Sequence, residues 1–484
     1  MAHYDLVIRN AVIVDGTRAP RFQADVAIQE GVIQRVGNVG DATAGHVIDG
    51  AGKVLSPGFI DAHTHDDRLM LSGPDMAPKV SQGVTTVVAG NCGVSLAPAP
   101  RGMARPVTPP LDLIDDEGSW FRFPTFRDYI GELRNKPAAT NCALLVGHTM
   151  LRSQTMDDLD KPATTGEIAK MQMLVKEALE AGAIGVSTGL FYEPARAAPT
   201  EEVIEVCRPL SARRALYCTH MRSEAEGVVE SLEETFRIGR ELGIPVVVSH
   251  HKVLGTPNHG RSAETLPIIE KAMRSQRVGL DCYPYRASST ILSWSRVRIA
   301  SRVLVSWSKP HPEFAGMDLK DIAAKMNRSE EEAVQELLPA GAIYFSMDEQ
   351  DVQRILAFEH TMIGSDGLPH DAAPHPRLWG TFARVLGHYS RRLGLFSLEE
   401  AVYKMTGLTA AMFGLAGRGM LKEGFAADLV LFDEAAIDET ASFEKPVAPA
   451  KGIDTVIVNG EPVWREGRPT AARPGRVLQP ARTG

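Results

Sequence analysis

The chain has 484 residues, 44% of them hydrophobic, with 52 basic against 60 acidic side chains and a formal net charge of −8. That balance gives no electrostatic case for binding nucleic acid or an anionic membrane surface, and no apolar run approaches the ~20 residues of a membrane helix. Five cysteines (Cys92, Cys142, Cys207, Cys218 and Cys282) are odd in number and unclustered, which predicts reduced thiols rather than a disulfide framework.

The first residues, Met-Ala-His-Tyr-Asp-Leu-Val-Ile-Arg, lack a basic stretch followed by an apolar one, so the expected location is the cytoplasm. Residues 1 to about 57 alternate in short bursts, Asp5-Leu-Val-Ile-Arg-Asn-Ala-Val-Ile-Val-Asp-Gly16, Asp25-Val-Ala-Ile-Gln-Glu-Gly and Val32-Ile-Gln-Arg-Val, punctuated by Gly and Asp as in a β-sheet with tight turns. The same texture returns in Ala427-Asp-Leu-Val-Leu-Phe-Asp433 and Thr455-Val-Ile-Val-Asn-Gly-Glu-Pro-Val-Trp464. Neither segment has strands enough for its own core, so 1–57 and 416–484 are expected to pair into one small β-sandwich. The Arg-, Pro-, Ala- and Gly-rich tail after Arg465 is expected to be poorly ordered.

Between them, apolar runs alternate with helical stretches. The first leads through Val54, Leu55, Phe59 and Ile60 into Asp61-Ala-His-Thr-His-Asp-Asp67 and predicts a buried strand with His63 and His65 at its end. The period of two then aims both imidazoles one way, as half of a metal site. Seven further runs begin at Val84, Cys142, Ala183, Ala215, Ile244, Val278 and Thr361. Thr164 and Glu167 have the spacing of a capping box, followed by an apolar face of Ile168, Met171, Leu174, Val175, Ala178 and Leu179. Eight such units with near-continuously apolar strands predict a parallel (β/α)8 barrel of the TIM type over 58–415. The stretch 286–360, with a helical segment around Leu319 to Leu338, is too long for one connection and is expected to be an inserted lid over the barrel mouth.

Catalytic groups of such barrels lie at the C-terminal strand ends. Polar residues interrupt the apolar runs at that level: His63 and His65 on strand one, Gly90-Asn-Cys-Gly93 on strand two, His148 on strand three, Thr219-His-Met-Arg222 on strand five, Ser249-His-His-Lys252 on strand six, Tyr283 on strand seven and Ser365-Asp-Gly367 on strand eight. His148 alone is more readily a structural residue, and Cys142 and Cys282 are expected in the core.

With His-x-His on strand one, His220, His250 and Asp366, the chain resembles the metal-dependent amidohydrolase superfamily. Within it, Pro57-Gly-Phe-Ile-Asp-Ala-His-Thr-His-Asp-Asp67, Gln82-Gly-Val-Thr-Thr-Val-Val, Gly90-Asn-Cys-Gly-Val-Ser95, Ser249-His-His-Lys-Val253 and Ile363-Gly-Ser-Asp-Gly-Leu-Pro-His370 resemble the N-acyl-D-amino-acid deacylases, or D-aminoacylases, over nearly the whole chain. Strand four ends in Ser187-Thr188-Gly189, without the bridging Lys or Glu of most two-metal relatives. Cys92 stands where D-aminoacylase-like enzymes use a cysteine.

The resemblance implies zinc-dependent hydrolysis of N-acyl-D-amino acids, with one zinc able to suffice. Cys92, His220 and His250 would form the tighter, three-ligand site, leaving a position for water or substrate. His63, His65 and Asp366 would flank a second, weaker one. Asp366 is the expected general base, and His63 or His65 could steady the oxyanion if the second site is empty. Lys252 and Tyr283 are carried over as anchors of the substrate carboxylate, with Arg222 and Ser289 as weaker candidates. Phe191, Tyr192 and Met221 could line apolar pockets or be packing residues. In Tyr285-Arg-Ala-Ser-Ser-Thr-Ile-Leu-Ser-Trp-Ser-Arg-Val-Arg298, Arg298 either faces solvent or faces the pocket, where it would favour acidic side chains. The D-preference rests on the resemblance alone. The partner is then a small molecule, with no nucleic acid or membrane involved and the oligomeric state left open. A cyclic amidase of the hydantoinase or dihydroorotase kind would want a lysine on strand four, and a non-enzymatic relative would have lost ligands that are all present here.

Overall fold

The buried strand runs close into a barrel. The computed structural model describes residues 3–102, 107 and 109–479. Its central sheet has eight parallel strands in sequential order: Phe59–Asp61, Val84–Ala89, Asn141–Gly147, Gly185–Gly189, Leu216–His220, Val246–Val248, Val278–Cys282 and Thr361–Ile363. All their residues are buried, as strands covered on both faces must be, which is why they read as continuous apolar runs. The last strand meets the first through Ala62 N–H to Ile363 O (3.1 Å), Asp366 N–H to His63 O (2.7 Å) and His65 N–H to Gly367 O (3.2 Å), so the residues just past strands one and eight are stitched together. The helix Thr165–Ala181 starts at the expected capping box, with Thr164 and Glu167 bonding each other's backbone N–H.

The approach to His63 is not one strand. Val54–Pro57 pairs in the terminal sheet and Phe59–Asp61 in the barrel. Between them, a Cβ on Gly58 would stand 2.1 Å from the Thr85 side chain, so only glycine lets the chain pass from one sheet to the other there. The terminal segments do pair, through Val54–Pro57 against Leu429–Phe432, and the ladder is continuous: one nine-stranded sheet whose apolar positions (Leu6, Ile8, Val26, Ile28, Leu429, Leu431 and Ile457 among them) pack as one cluster. A buried polar knot docks it to the barrel. Asn141 Nδ2 donates to Asp428 (3.0 Å), and Asp428 also accepts from Arg418 and from Asn459 N–H.

The tail is tied down further than its composition suggests. Cys142 N–H donates to Arg476 O (2.9 Å) and Leu478 N–H to Cys142 O (2.7 Å), so Arg476 to Leu478 is backbone-bonded to barrel strand three. The remaining tail residues, 480–484, lie outside the described residues.

The inserted segment is a three-stranded antiparallel sheet, in the order Ala287–Ile291, Ala340–Phe345, Val303–Ser308, backed by helices Leu319–Met326 and Glu330–Leu337 over a core of its own. Asn327, in the left-handed region, breaks the expected single helix in two. Glu349–Ala357, read from sequence as part of the insertion, is a helix packed on the barrel helix Ser262–Met273. The insertion sits at the C-terminal end of the strands: Gly255 N–H, after strand six, donates to Ser346 O (2.8 Å), and Tyr192 OH meets Thr290 Oγ1 at 2.9 Å. No helix among the described residues is long and apolar enough to cross a membrane.

Candidate metal centre

Six side chains from five strand ends converge in the barrel mouth. Cys92 Sγ lies 3.4 Å from His63 Nε2, 3.7 Å from His220 Nδ1 and 3.3 Å from His250 Nε2. Asp366 Oδ1 is 3.3 Å from His65 Nε2 and 3.6 Å from His63 Nε2. The S–N edge of a tetrahedral zinc site, built from bonds of about 2.3 Å to sulfur and about 2.05 Å to nitrogen, is about 3.6 Å. The donor set of one thiol, neutral imidazoles and a carboxylate, at this spacing, therefore fits zinc.

Burial decides the protonation states. It drives His63 down to about 3 and His220 and His250 down as well, so these rings are neutral, the form that ligates. Burial, reinforced by Asp366, pushes the Cys92 thiol well above its ordinary value, so a nearby cation is needed to make it a thiolate. For Asp366, burial favours the acid, but the Arg377 guanidinium beside it and a hydrogen bond from His65 are among the contacts that hold the carboxyl well below its usual range. Three of these residues also occupy the left-handed backbone region, Cys92 (φ 53°), His250 (φ 37°) and Asp366 (φ 49°). Such conformations cost on the order of 1–3 kcal/mol each and are retained where a site requires the side chain to be re-aimed.

Strand alternation, expected to aim His63 and His65, does not reach them. Strand one ends at Asp61, and the two rings are aimed by the loop stitched to strand eight. Beneath that loop lies Lys79, fully buried, whose ammonium bonds Asp61 (2.8 Å), Thr64 Oγ1 (2.9 Å) and Ser365 Oγ (2.8 Å) and lies 3.3 Å from Asp66. It ties the loop of His63 and His65 to the loop of Asp366. Asp281 on strand seven accepts from His250 N–H (3.0 Å) and faces His63 Nδ1 at 3.7 Å. Strand four contributes no lysine or glutamate: Ser187 Oγ bonds Gly93 N–H and Gly90 O, and Thr188 bonds Tyr217 and Thr219.

The expected substrate anchors fare unequally. Tyr283 is buried with its hydroxyl unpartnered, and Ser289 Oγ is likewise buried and unpartnered. Between them lies Arg377, which the sequence did not single out. Its guanidinium stands over the Tyr283 ring (4.6 Å), donates to Ser289 O (3.1 Å), reaches Asp366 Oδ2 (3.0 Å) and leaves Nε without a partner. Lys252 is not a free anchor. Its ammonium is held by Glu224 (2.6 Å) and the His250 carbonyl (3.0 Å), because a buried ammonium must find a carboxylate. Arg222 is turned away altogether, committed to Glu234 (2.8 Å) and the carbonyls of Arg196 and Ala198.

Phe191 stacks on His220 (5.7 Å between centroids), and Tyr192 lies 5.0 Å from the same ring; both cluster with Cys92. Met221 belongs to the general core instead. Arg298 is exposed, at the end of the helical turn Trp294–Val297. The arginine of that segment at the site is Arg296, buried, 4.1 Å above Phe191 and 3.9 Å from Glu224. On a helical turn, residues two apart point to nearly opposite sides.

A model of the amidohydrolase family matches residues 46–278 and 326–464. A D-aminoacylase of Alcaligenes xylosoxydans xylosoxydans is 58% identical over 475 residues, spanning 98% of this chain and 97% of that protein. An N-acyl-D-aspartate deacylase of the same organism is 52% identical over 480 residues, spanning 99% and 96%. The solved structure of an N-acyl-D-glutamate deacylase from Bordetella bronchiseptica, complexed with zinc and a phosphonate inhibitor that mimics the tetrahedral intermediate, matches with a TM-score of 0.95 at 44% identity, covering 99% of this chain and 100% of that one.

Proposed function

The chain belongs to the amidohydrolase family, and we propose that it is a zinc-dependent deacylase that cleaves the amide bond of N-acyl-D-amino acids to a carboxylate and a free D-amino acid. The observation that carries this reading is the Cys92 thiol set among His63, His220 and His250 with Asp366 opposite and no strand-four lysine beside them. A cyclic amidase, expected to bridge its metals through such a lysine, lacks that support.

Cys92, His220 and His250 would hold the tighter ion, and His63, His65 and Asp366 would flank a second, weaker position. Zinc, when bound, polarises the amide carbonyl and lowers the pKa of a water molecule. The residues of the chain supply the rest. Asp366 is ionised at neutral pH, so it accepts the proton of the attacking water. It then returns that proton to the departing nitrogen, which must leave as an amine. Arg377, Tyr283 and Ser289 present buried, unsatisfied donors on one side of Asp366, the arrangement an α-carboxylate would complete. Holding the carboxylate there while the amide lies at Asp366 fixes two of the three points that define a stereocentre. Phe191 and Tyr192 are placed to bound the third. The substrate is a small molecule, and the five cysteines, all free and buried, suit a reducing cytoplasm.

Paired assays on N-acetyl-D-methionine, its L enantiomer and a hydantoin test this directly. The D substrate should be turned over at least about 100-fold faster than the L form, since displacing a reacting amide by about 1 Å costs that much, and the hydantoin should not be opened. Equal D and L rates, or hydantoin opening at a comparable rate, would remove the reading.

A further inference from the structure

Glu224 has no part in the chemistry above, yet it is buried directly behind two of the proposed zinc ligands. It lies in the loop after strand five, 4% exposed, with its backbone carbonyl bonded by Leu254 N–H (2.7 Å). Its two oxygens divide between two imidazoles. Oε1 is 3.1 Å from His250 Nδ1, and Oε2 is 3.5 Å from His220 Nε2. In both rings the nitrogen facing Glu224 is the one pointing away from Cys92, because His250 meets the sulfur through Nε2 and His220 through Nδ1. His220 Nε2 and Glu224 Oε2 are both buried without a hydrogen-bond partner, each the nearest oppositely equipped group to the other at 3.5 Å.

We propose that Glu224 is the positioning residue of the metal centre, one carboxylate that fixes the tautomers of His220 and His250 together so that both present a lone pair toward Cys92. This rests on the zinc-site reading given above. A neutral imidazole carries one ring proton, and the nitrogen that holds it is the one whose neighbour accepts it. At His250 two neighbours compete for Nδ1: Glu224 Oε1 and the Lys252 ammonium, 2.7 Å away. If Lys252 donated to Nδ1, the ring proton would have to sit on Nε2, and His250 could not ligate. In the proposed arrangement Glu224 Oε1 accepts from Nδ1–H across the 3.1 Å approach and also accepts from Lys252, whose ammonium turns its protons to Glu224 and the His250 carbonyl instead of to Nδ1. The same carboxylate offsets Lys252 and the nearby Arg296, two cations that would otherwise repel a metal ion through low-dielectric surroundings.

The two roles, tautomer control and charge balance, are separable. In E224Q the amide oxygen can still accept one proton, but the NH2 group then faces the second ring with a donor against a donor. In the double variant E224Q/K252M the buried ammonium goes as well, so charge balance is restored while tautomer control is not. Zinc affinity measured by chelator competition should fall about 10- to 100-fold in E224Q, the range usual for loss of a carboxylate that orients a metal-bound imidazole. It should stay low in E224Q/K252M, with thermal melting verifying that the double variant is folded. In the cobalt-substituted proteins the ligand-field bands, which report the nitrogen ligands, should shift in both variants. Wild-type zinc affinity and an unshifted cobalt spectrum in the double variant would reduce Glu224 to a counter-ion for Lys252 and overturn the proposal; so would wild-type affinity in E224Q alone. Wild-type protein that binds no zinc would instead remove the zinc-site reading beneath it.

Discussion

Replacing Cys92 with alanine is expected to strip the protein of zinc and abolish turnover of N-acetyl-D-methionine. The sulfur is the atom common to the cluster, within 3.7 Å of three imidazole nitrogens. It is also the only soft donor there, and the tighter site without it is left with His220 and His250 alone, too few ligands to hold zinc well. Alanine has no greater steric demand at the left-handed φ of 53° than cysteine does, so the fold should survive the substitution. The metal's polarising effect is worth several kcal/mol, so turnover should fall by about a factor of 1,000 or more. Metal analysis and rate measurements on the purified variant check this together. Stoichiometric zinc with normal turnover would take Cys92 out of the centre.

Asp366→Asn should separate the base from the metal. Asparagine keeps the shape of the side chain, tolerates the φ of 49° well, and can still accept a hydrogen bond from Arg377 or His65, but it cannot take a proton from water. Loss of a positioned general base costs about 100- to 10,000-fold in rate. Zinc held by Cys92, His220 and His250 should largely remain. A variant with near-normal turnover would mean that another group accepts the proton. Parallel loss of zinc would mean that Asp366 acts mainly as a ligand.

Most of the barrel was legible because its strands are buried on both faces. A run such as Val84–Ala89 or Asn141–Gly147 is mostly apolar and shows no alternation of polar and apolar positions, and the first polar residue after each run marks the catalytic end. What could not be read is the direction of long side chains once they are buried. Lys252 stands beside a ligand in sequence, as expected of an anchor, but its direction is set by Glu224, which comes from another strand end and carried no signal beyond its i,i+4 spacing from His220. Arg377 opens the helix Arg377–Arg384 after the irregular stretch that follows strand eight, so no periodicity before it reports a direction, although an arginine so near Asp366 in the chain was a usable hint. Arg296 and Arg298 are equivalent in composition; only the helical turn Trp294–Val297 distinguishes the one that enters the site from the one that faces solvent. Gly58 was visible as a glycine within an apolar run, but its meaning depended on Thr85 from the neighbouring strand.

On the reading proposed here, one metal ion held around Cys92 makes this chain a deacylase. Titrating metal-free protein with zinc while following N-acetyl-D-methionine turnover tests it most directly. The expected curve starts near zero and reaches its maximum at one equivalent of zinc per chain. Full activity in the metal-free protein, or activity that appears only after a first equivalent has bound silently, would contradict it.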